Sequence, residues 1–232
     1  MITLFGSAPA FGLPQASPFA IKVEMLLKMA GLPYTVANAD PRKAPRGKIP
    51  WIVDGDEVIS DSRLIKHHLE TRHGADFSGG YAPRDLGCGL AVERMLENHL
   101  YWFDVENRWL VPENFDRGPV RFFKAVPALL RPLVIRAILK KTRRDVQTQG
   151  QHRLTAEEKL LLVSQVLQAL SDLLGERQFM LGDTISGVDA TAFAFLASLE
   201  TQKFASPYGD ALRADPGLLS YIRRIRAAYY PA

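Results

Sequence analysis

One stretch constrains the chain more than any other: Gly47-Lys48-Ile49-Pro50-Trp51-Ile52-Val53-Asp54-Gly55-Asp56-Glu57-Val58-Ile59-Ser60-Asp61-Ser62. Two β-prone runs, residues 51–53 and 58–60, flank Asp54-Gly55-Asp56. Asp-Gly tolerates the positive φ of a tight turn, so the stretch reads as a β-hairpin. A helical pattern follows at once, with Leu64, Ile65, His68 and Leu69 on one face. Pro50 cannot donate to a ladder, and X-Pro is the bond type that can be cis. Such a turn would leave the Ile49 N–H and C=O to pair with an extended peptide, as in strand addition. Asp61 and Ser62 set a carboxylate and a hydroxyl beside the first N–H groups of a helix, where anions are held. The plainer reading, a hairpin followed by an ordinary N-cap, fits the same residues.

The rest of the first half completes a small α/β layer. Residues 2–5 read as a strand and residues 6–15 as a loop. Ser17 is a good N-cap and Pro18 suits the first helical position. Phe19, Val23, Leu26, Leu27 and Ala30 recur at helical spacing until Gly31 and Pro33 stop the helix. Residues 34–38 form a second strand, parallel to the first through the helix between them. Residues 40–47, with two prolines, are expected to hold little regular helix. The helix after Ser62 runs to about residue 73.

Residues 79–84, around Gly79-Gly80-Tyr81-Ala82-Pro83, read as a linker between a domain over 1–78 and an all-helical domain over 85–232. A helix is expected from residue 84 to about 110. Thr155 with Glu158 forms a capping box for another that Gly175 ends. Ser186 with Asp189 forms a second box, and Asp215-Pro216 opens a last helix to residue 229.

Composition excludes more than it selects. A net charge of +4 does not call for nucleic acid. The single cysteine, Cys88, rules out an intrachain disulfide, and with no Cys-x-x-Cys the chain lacks a thioredoxin-type redox pair. Cys88 is expected to be a small buried residue. The first residues lack a basic region and a long apolar core, so no signal peptide is expected and a cytoplasmic protein is. Residues 125–139 are apolar but broken by Pro127, Arg131, Pro132 and Arg136. His67 and His68 lie in mid-helix with no partner at ligand spacing, and no metal site is expected.

Lys48-Ile49-Pro50 followed by Asp61-Ser62, together with Ala16-Ser17-Pro18-Phe19 and Gly31-Leu32-Pro33-Tyr34, resembles the glutathione-binding domain of serine-type glutathione S-transferases. Gly182-Asp183 and Ser186-x-x-Asp189 resemble the buried capping box of that superfamily's helical domain. The resemblance implies a thioredoxin-like α/β domain followed by an all-α domain, with glutathione as co-substrate and a homodimer as the assembly. It implies that Ser17 donates to the glutathione sulfur. Lys48 would take the glycine end, Ile49 with Pro50 the cysteinyl backbone, and Asp61 and Ser62 the γ-glutamyl end. Phe19, Tyr101 and Trp102 become candidates for the pocket of a small hydrophobic electrophile, and detoxification the expected setting.

Residues 117–150 depart from the common pattern and resemble the metaxin and failed-axon-connections branch. Pro127, Pro132 and the basic run Lys140, Lys141, Arg143, Arg144 carry that likeness. The run reads most simply as a solvated helix face; a membrane surface or an acidic partner is the alternative. The resemblance therefore leaves three functions open. One is a transferase. The others are a non-catalytic interaction protein that kept the fold, and a glutathione-dependent disulfide reductase or lyase.

Overall fold

The computed structural model describes residues 1–40 and 42–231. The first half is a four-stranded sheet in the order β2-β1-β3-β4. Its strands are β1 (Ile2–Gly6), β2 (Tyr34–Asn38), β3 (Trp51–Asp54) and β4 (Glu57–Ser60). β1 and β2 are parallel and joined through α1 (Pro18–Met29), whereas β3 runs antiparallel to both β1 and β4. This is the expected β-α-β-loop-β-β-α layer, completed by α2 (Ser62–His73). The hairpin turns at Gly55 and Asp56. Gly55 has φ 60 at the first central position, where a residue with a side chain would be strained.

The second half is helical. α3 (Pro83–Arg94), a π-helical stretch (Met95–Leu100) and α4 (Tyr101–Leu110) occupy the range expected to be one long helix. The π stretch is a local re-registering of that helix, and its Leu96, Glu97 and Leu100 all face inward. α5 (Pro112–Arg117) is short, and α6 (Arg131–Thr148) carries Pro132 in its first turn, where proline is tolerated. α7 (Ala156–Leu174) begins at the Thr155–Glu158 capping box and ends at Gly175. α8 (Gly187–Glu200), α9 (Pro207–Arg213) and α10 (Pro216–Tyr229) complete the chain. Among the described residues, no helix is long and apolar enough to cross a membrane.

α8 is buried from Gly187 through Leu199 and packs on α1. Asp189 anchors its start. The carboxylate accepts from Met180 N, Ser186 N and the Tyr221 hydroxyl, each at 2.9 Å, at a site with no exposure. Burial pushes its pKa up while these bonds pull it back.

Cys88 departs from expectation. It is exposed, because α3 turns only Gly89, Val92 and Glu93 inward. Lys140, Lys141, Arg143 and Arg144 stand on the exposed side of α6.

Candidate functional site

Strand register gathers the site. Phe5 of β1 pairs with Trp51 of β3, and Trp51 pairs with Ser60 of β4. Neighbouring strands stand about 4.8 Å apart, so these three residues form one short row, reinforced by Phe5 and Trp51 rings stacked at 4.8 Å. Directly beyond the row come the loop leading to Ser17, the pair Ile49-Pro50, and the pair Asp61-Ser62. Segments far apart in sequence thus emerge at one edge of the sheet. The Ile49–Pro50 bond is cis. Pro50 is buried, Ile49 half-buried, and Lys48 exposed on the rim.

Ser17 occupies the N-cap of α1 with φ −106 and ψ 128, but its hydroxyl makes no capping bond. The position was expected; the idle hydroxyl is what the structure adds. Pro18 brings no N–H, and no acidic side chain lies in the first turn, so the helix dipole leaves this point positive. A hydroxyl donor on a positive helix start is suited to holding an anion such as a thiolate.

The backbone around Ser17 is fixed from two sides. The Ala16 N–H donates to Ser7 Oγ at 2.7 Å, and the Ser7 N–H donates to Gln15 Oε1 at 2.9 Å. Gln15, 1% exposed, donates in turn to Glu24 Oε2 at 2.7 Å. From the helical half, Arg108 Nη1 reaches the Ala16 carbonyl at 3.4 Å. Its Nη2 bonds Asp104 Oδ2, the Ser198 carbonyl and Ser198 Oγ, each at 2.9 Å. Burial pushes the Asp104 carboxyl up, and Arg108 pulls it down. Sequence reasoning passed over Gln15 and Arg108. Asp104 and Arg108 did carry a signal: opposite charges four apart on an aromatic helix, which burial obliges to pair.

Asp61 caps α2 as expected, accepting from the Arg63 N–H at 3.0 Å. The Arg63 guanidinium also grips both carboxylate oxygens, at 2.9 and 2.7 Å. Asp61 has φ 88, a conformation that strains a residue with a side chain, and the paired bonds hold it there. Beside it Ser62 is 3% exposed. A carboxylate offers about four lone-pair sites, so Asp61 can still accept from an ammonium while bound to Arg63.

Phe19 lies edge-on to Tyr101 at 5.0 Å and to Phe195 at 5.1 Å, and Tyr101 to Trp102 at 5.2 Å. These rings join the two halves of the molecule near Ser17. Burial, with the Asp104 charge, pushes the Tyr101 hydroxyl up to about 12, so it stays a neutral donor. Two surface clefts lie elsewhere. One, of about 350 Å³, borders Lys66, Phe77, Leu86 and Leu90; the other, of about 550 Å³, borders Phe11, Arg121 and Lys203. Neither is lined by Ser17, Phe19, Tyr101 or Trp102.

The model of the glutathione S-transferase N-terminal domain matches residues 18–114, and that of the glutathione S-transferase C-terminal domain matches residues 163–225. The isoprene-epoxide–glutathione S-transferase of Rhodococcus sp. (strain AD45) is 28% identical over 238 residues, spanning 99% of each chain. Metaxin-1 of Bos taurus is 27% identical over 245 residues, covering 98% of this chain and 75% of its own. In fold, the chain is similar to the β-etherase LigF from Sphingobium sp. strain SYK-6. That match has a TM-score of 0.68 at 16% identity, over 97% of this chain and 95% of the other.

The Arg63 grip has a measurable consequence. Its hydrogen bonds hold the Asp61 carboxyl down from 3.8 to about 2. A depressed carboxyl stabilises the fold above its ordinary value and loses that contribution as pH falls through its folded value. The pair therefore acts fully above about pH 4 and is lost toward pH 2. In Arg63→Ala, the Asp61 midpoint should climb back toward 3.8, read from the carboxyl carbon by NMR titration. An unmoved midpoint would show that the helix start, not Arg63, sets it.

Proposed function

Because the chain belongs to the glutathione S-transferase superfamily, we propose that it binds glutathione and activates the thiol for attack on a small hydrophobic electrophile. The observation that carries this reading is Ser17: a hydroxyl without a capping bond at a positive helix start, at the edge where Ile49-Pro50 and Asp61-Ser62 converge.

In this reading the ligand lies along the cis turn. The Ile49 backbone pairs with the cysteinyl unit, the Asp61 carboxylate takes the γ-glutamyl ammonium, and Ser62 takes the carboxylate beside it. Lys48 meets the glycine carboxylate from the rim, and glutathione's two carboxylates are drawn by the neighbouring Arg42, Lys43 and Arg46. The Ser17 hydroxyl donates to the sulfur. Hydrogen bonding to the charged form lowers a thiol pKa, and the thiolate is the nucleophile.

The full-length likeness to an isoprene-epoxide transferase supports an epoxide as the electrophile. The sulfur–carbon bond forms as the ring carbon–oxygen bond breaks, and the alkoxide takes a proton from water. Phe19, Tyr101 and Trp102 are proposed to face the electrophile, with the Tyr101 hydroxyl protonated throughout the working range. A homodimer is the proposed assembly, cytoplasmic its setting, and detoxification of reactive epoxides the role.

The metaxin-like reading has its own support. Leu129 and Leu130, just before α6, and Leu133 in its first turn are 92%, 54% and 65% exposed, and the same helix carries the basic run. A binder without catalysis would use such a surface.

Calorimetry separates the two. Glutathione should bind with a Kd between about 1 μM and 1 mM, the span of ordinary substrate affinities. Asp61→Ala should weaken binding by about tenfold to a hundredfold, as loss of a charge-assisted bond of about 1.5–3 kcal/mol implies. No heat at millimolar glutathione would favour the binder, and unchanged affinity in Asp61→Ala would reduce Asp61 to a cap. Light scattering should give twice the mass of one chain at tens of micromolar protein; a monomer there removes the proposed pairing.

A further inference from the structure

We propose that Asp54, His68 and His73 form a binding site for a divalent transition-metal ion of the zinc type, between the hairpin turn and the C-terminal half of α2. Asp54 closes β3 at the base of the hairpin turn. His68 Nε2 stands 2.8 Å and His73 Nε2 2.6 Å from the same carboxylate oxygen, Asp54 Oδ2. The three ligand atoms lie within 4.8 Å of one another. Sequence spacing hid the group: the histidines are five apart on the helix, and the carboxylate comes from a different element.

The donor set has the right chemistry. Two imidazole nitrogens and one carboxylate oxygen are the ligands of three-residue zinc sites, which keep a fourth position for water or an outside group. Imidazole also excludes the harder cations magnesium and calcium, which take oxygen ligands. Ligand atoms around tetrahedral zinc stand about 3.3 Å apart, given zinc–ligand distances near 2.0–2.1 Å. The carboxylate oxygen therefore has to retreat by about 0.5 Å from His68 and about 0.7 Å from His73.

The site can make that adjustment. The His68 side chain is 9% exposed and held in the layer between α2 and the hairpin, while Asp54 is 17% and His73 27% exposed. His73 is the last residue of α2, where the chain turns away through Gly74 at φ 65, so its ring can move. Behind His68, Glu57 Oε2 lies 3.6 Å from Nδ1, on the side where metal-bound histidines usually find a carboxylate partner. Arg72 fixes that glutamate at 3.1 Å.

α2 spans 12 residues, about 18 Å at 1.5 Å each. His68 stands about 10 Å beyond Asp61 along that axis and His73 at its far end, so the group is separate from Asp61 and independent of the glutathione reading.

The test uses untagged full-length protein, since a histidine tag would bind the probe. Zinc chloride titrated calorimetrically should bind one ion per chain, and cobalt(II) in its place should give the visible absorption of a tetrahedral site. His73→Gln and Asp54→Asn should each weaken zinc binding by about tenfold or more, at least the loss that removing a supporting partner causes. Circular dichroism checks that both variants keep the helix content of the parent. Zinc binding absent at hundreds of micromolar overturns the proposal, leaving the cluster as a hydrogen-bonded staple between hairpin and helix. Binding that survives both substitutions overturns it equally, because the ion then sits elsewhere.

Discussion

Lys22 has no exposure at all, and the assembly of the two halves turns on it. Its ammonium lies 2.7 Å from Glu97 and 3.4 Å from Glu93, and Arg94 bonds both carboxylates from the other side. Removing one partner from a buried pair leaves an uncompensated charge, at a cost of about 3–5 kcal/mol. The lysine belongs to α1 and the acids to α3 and the π stretch. The ion group therefore demands that α1 meet the helical half in one register. Around it Ala20, Ile21, Val23, Met25, Leu26 and Leu27 are fully buried, each large side chain contributing about 1.5–3 kcal/mol.

A helix buried on both sides has little freedom at its start, and its start is where Ser17 sits. Ser7, Gln15 and Glu24 tie the preceding loop to the sheet edge and to α1, while Arg108 ties the same loop to α4 and α8. The proposed chemistry needs this rigidity. A single hydrogen bond to sulfur shifts an ionisation only if its donor is already in place, with no reorganisation to perform when charge develops. Asp61, just past the end of β4, follows the same logic. Arg63 and the α2 N-terminus fix a strained carboxylate that a free loop would relax.

The fold was legible because its signals are local. Asp54-Gly55 marked the hairpin, Ser17-Pro18 and Thr155-x-x-Glu158 marked helix starts, and Gly175 marked a stop, each by conformational preference alone. The site was legible mainly through likeness of motif; spacing by itself left an ordinary capped hairpin equally open. What was hidden depends on long-range packing. Nothing within α3 says which way Cys88 points, since that follows from α8 covering the other face. The His68 ring finds its partner across the turn, at a separation no periodicity encodes. Lys22 reads as a polar residue on a helix until two acids more than 70 positions on are folded against it.

The central claim is that the idle hydroxyl of Ser17 stabilises a thiolate. The most direct measurement is the ultraviolet absorbance of bound glutathione thiolate as pH is raised, in the parent and in Ser17→Ala. The account predicts a bound thiol pKa below the ordinary value of about 8.5, rising by about one to two units in the variant as one bond to a charged sulfur is lost. A bound thiol that titrates at its free value, or a titration that Ser17→Ala leaves unmoved, would contradict it.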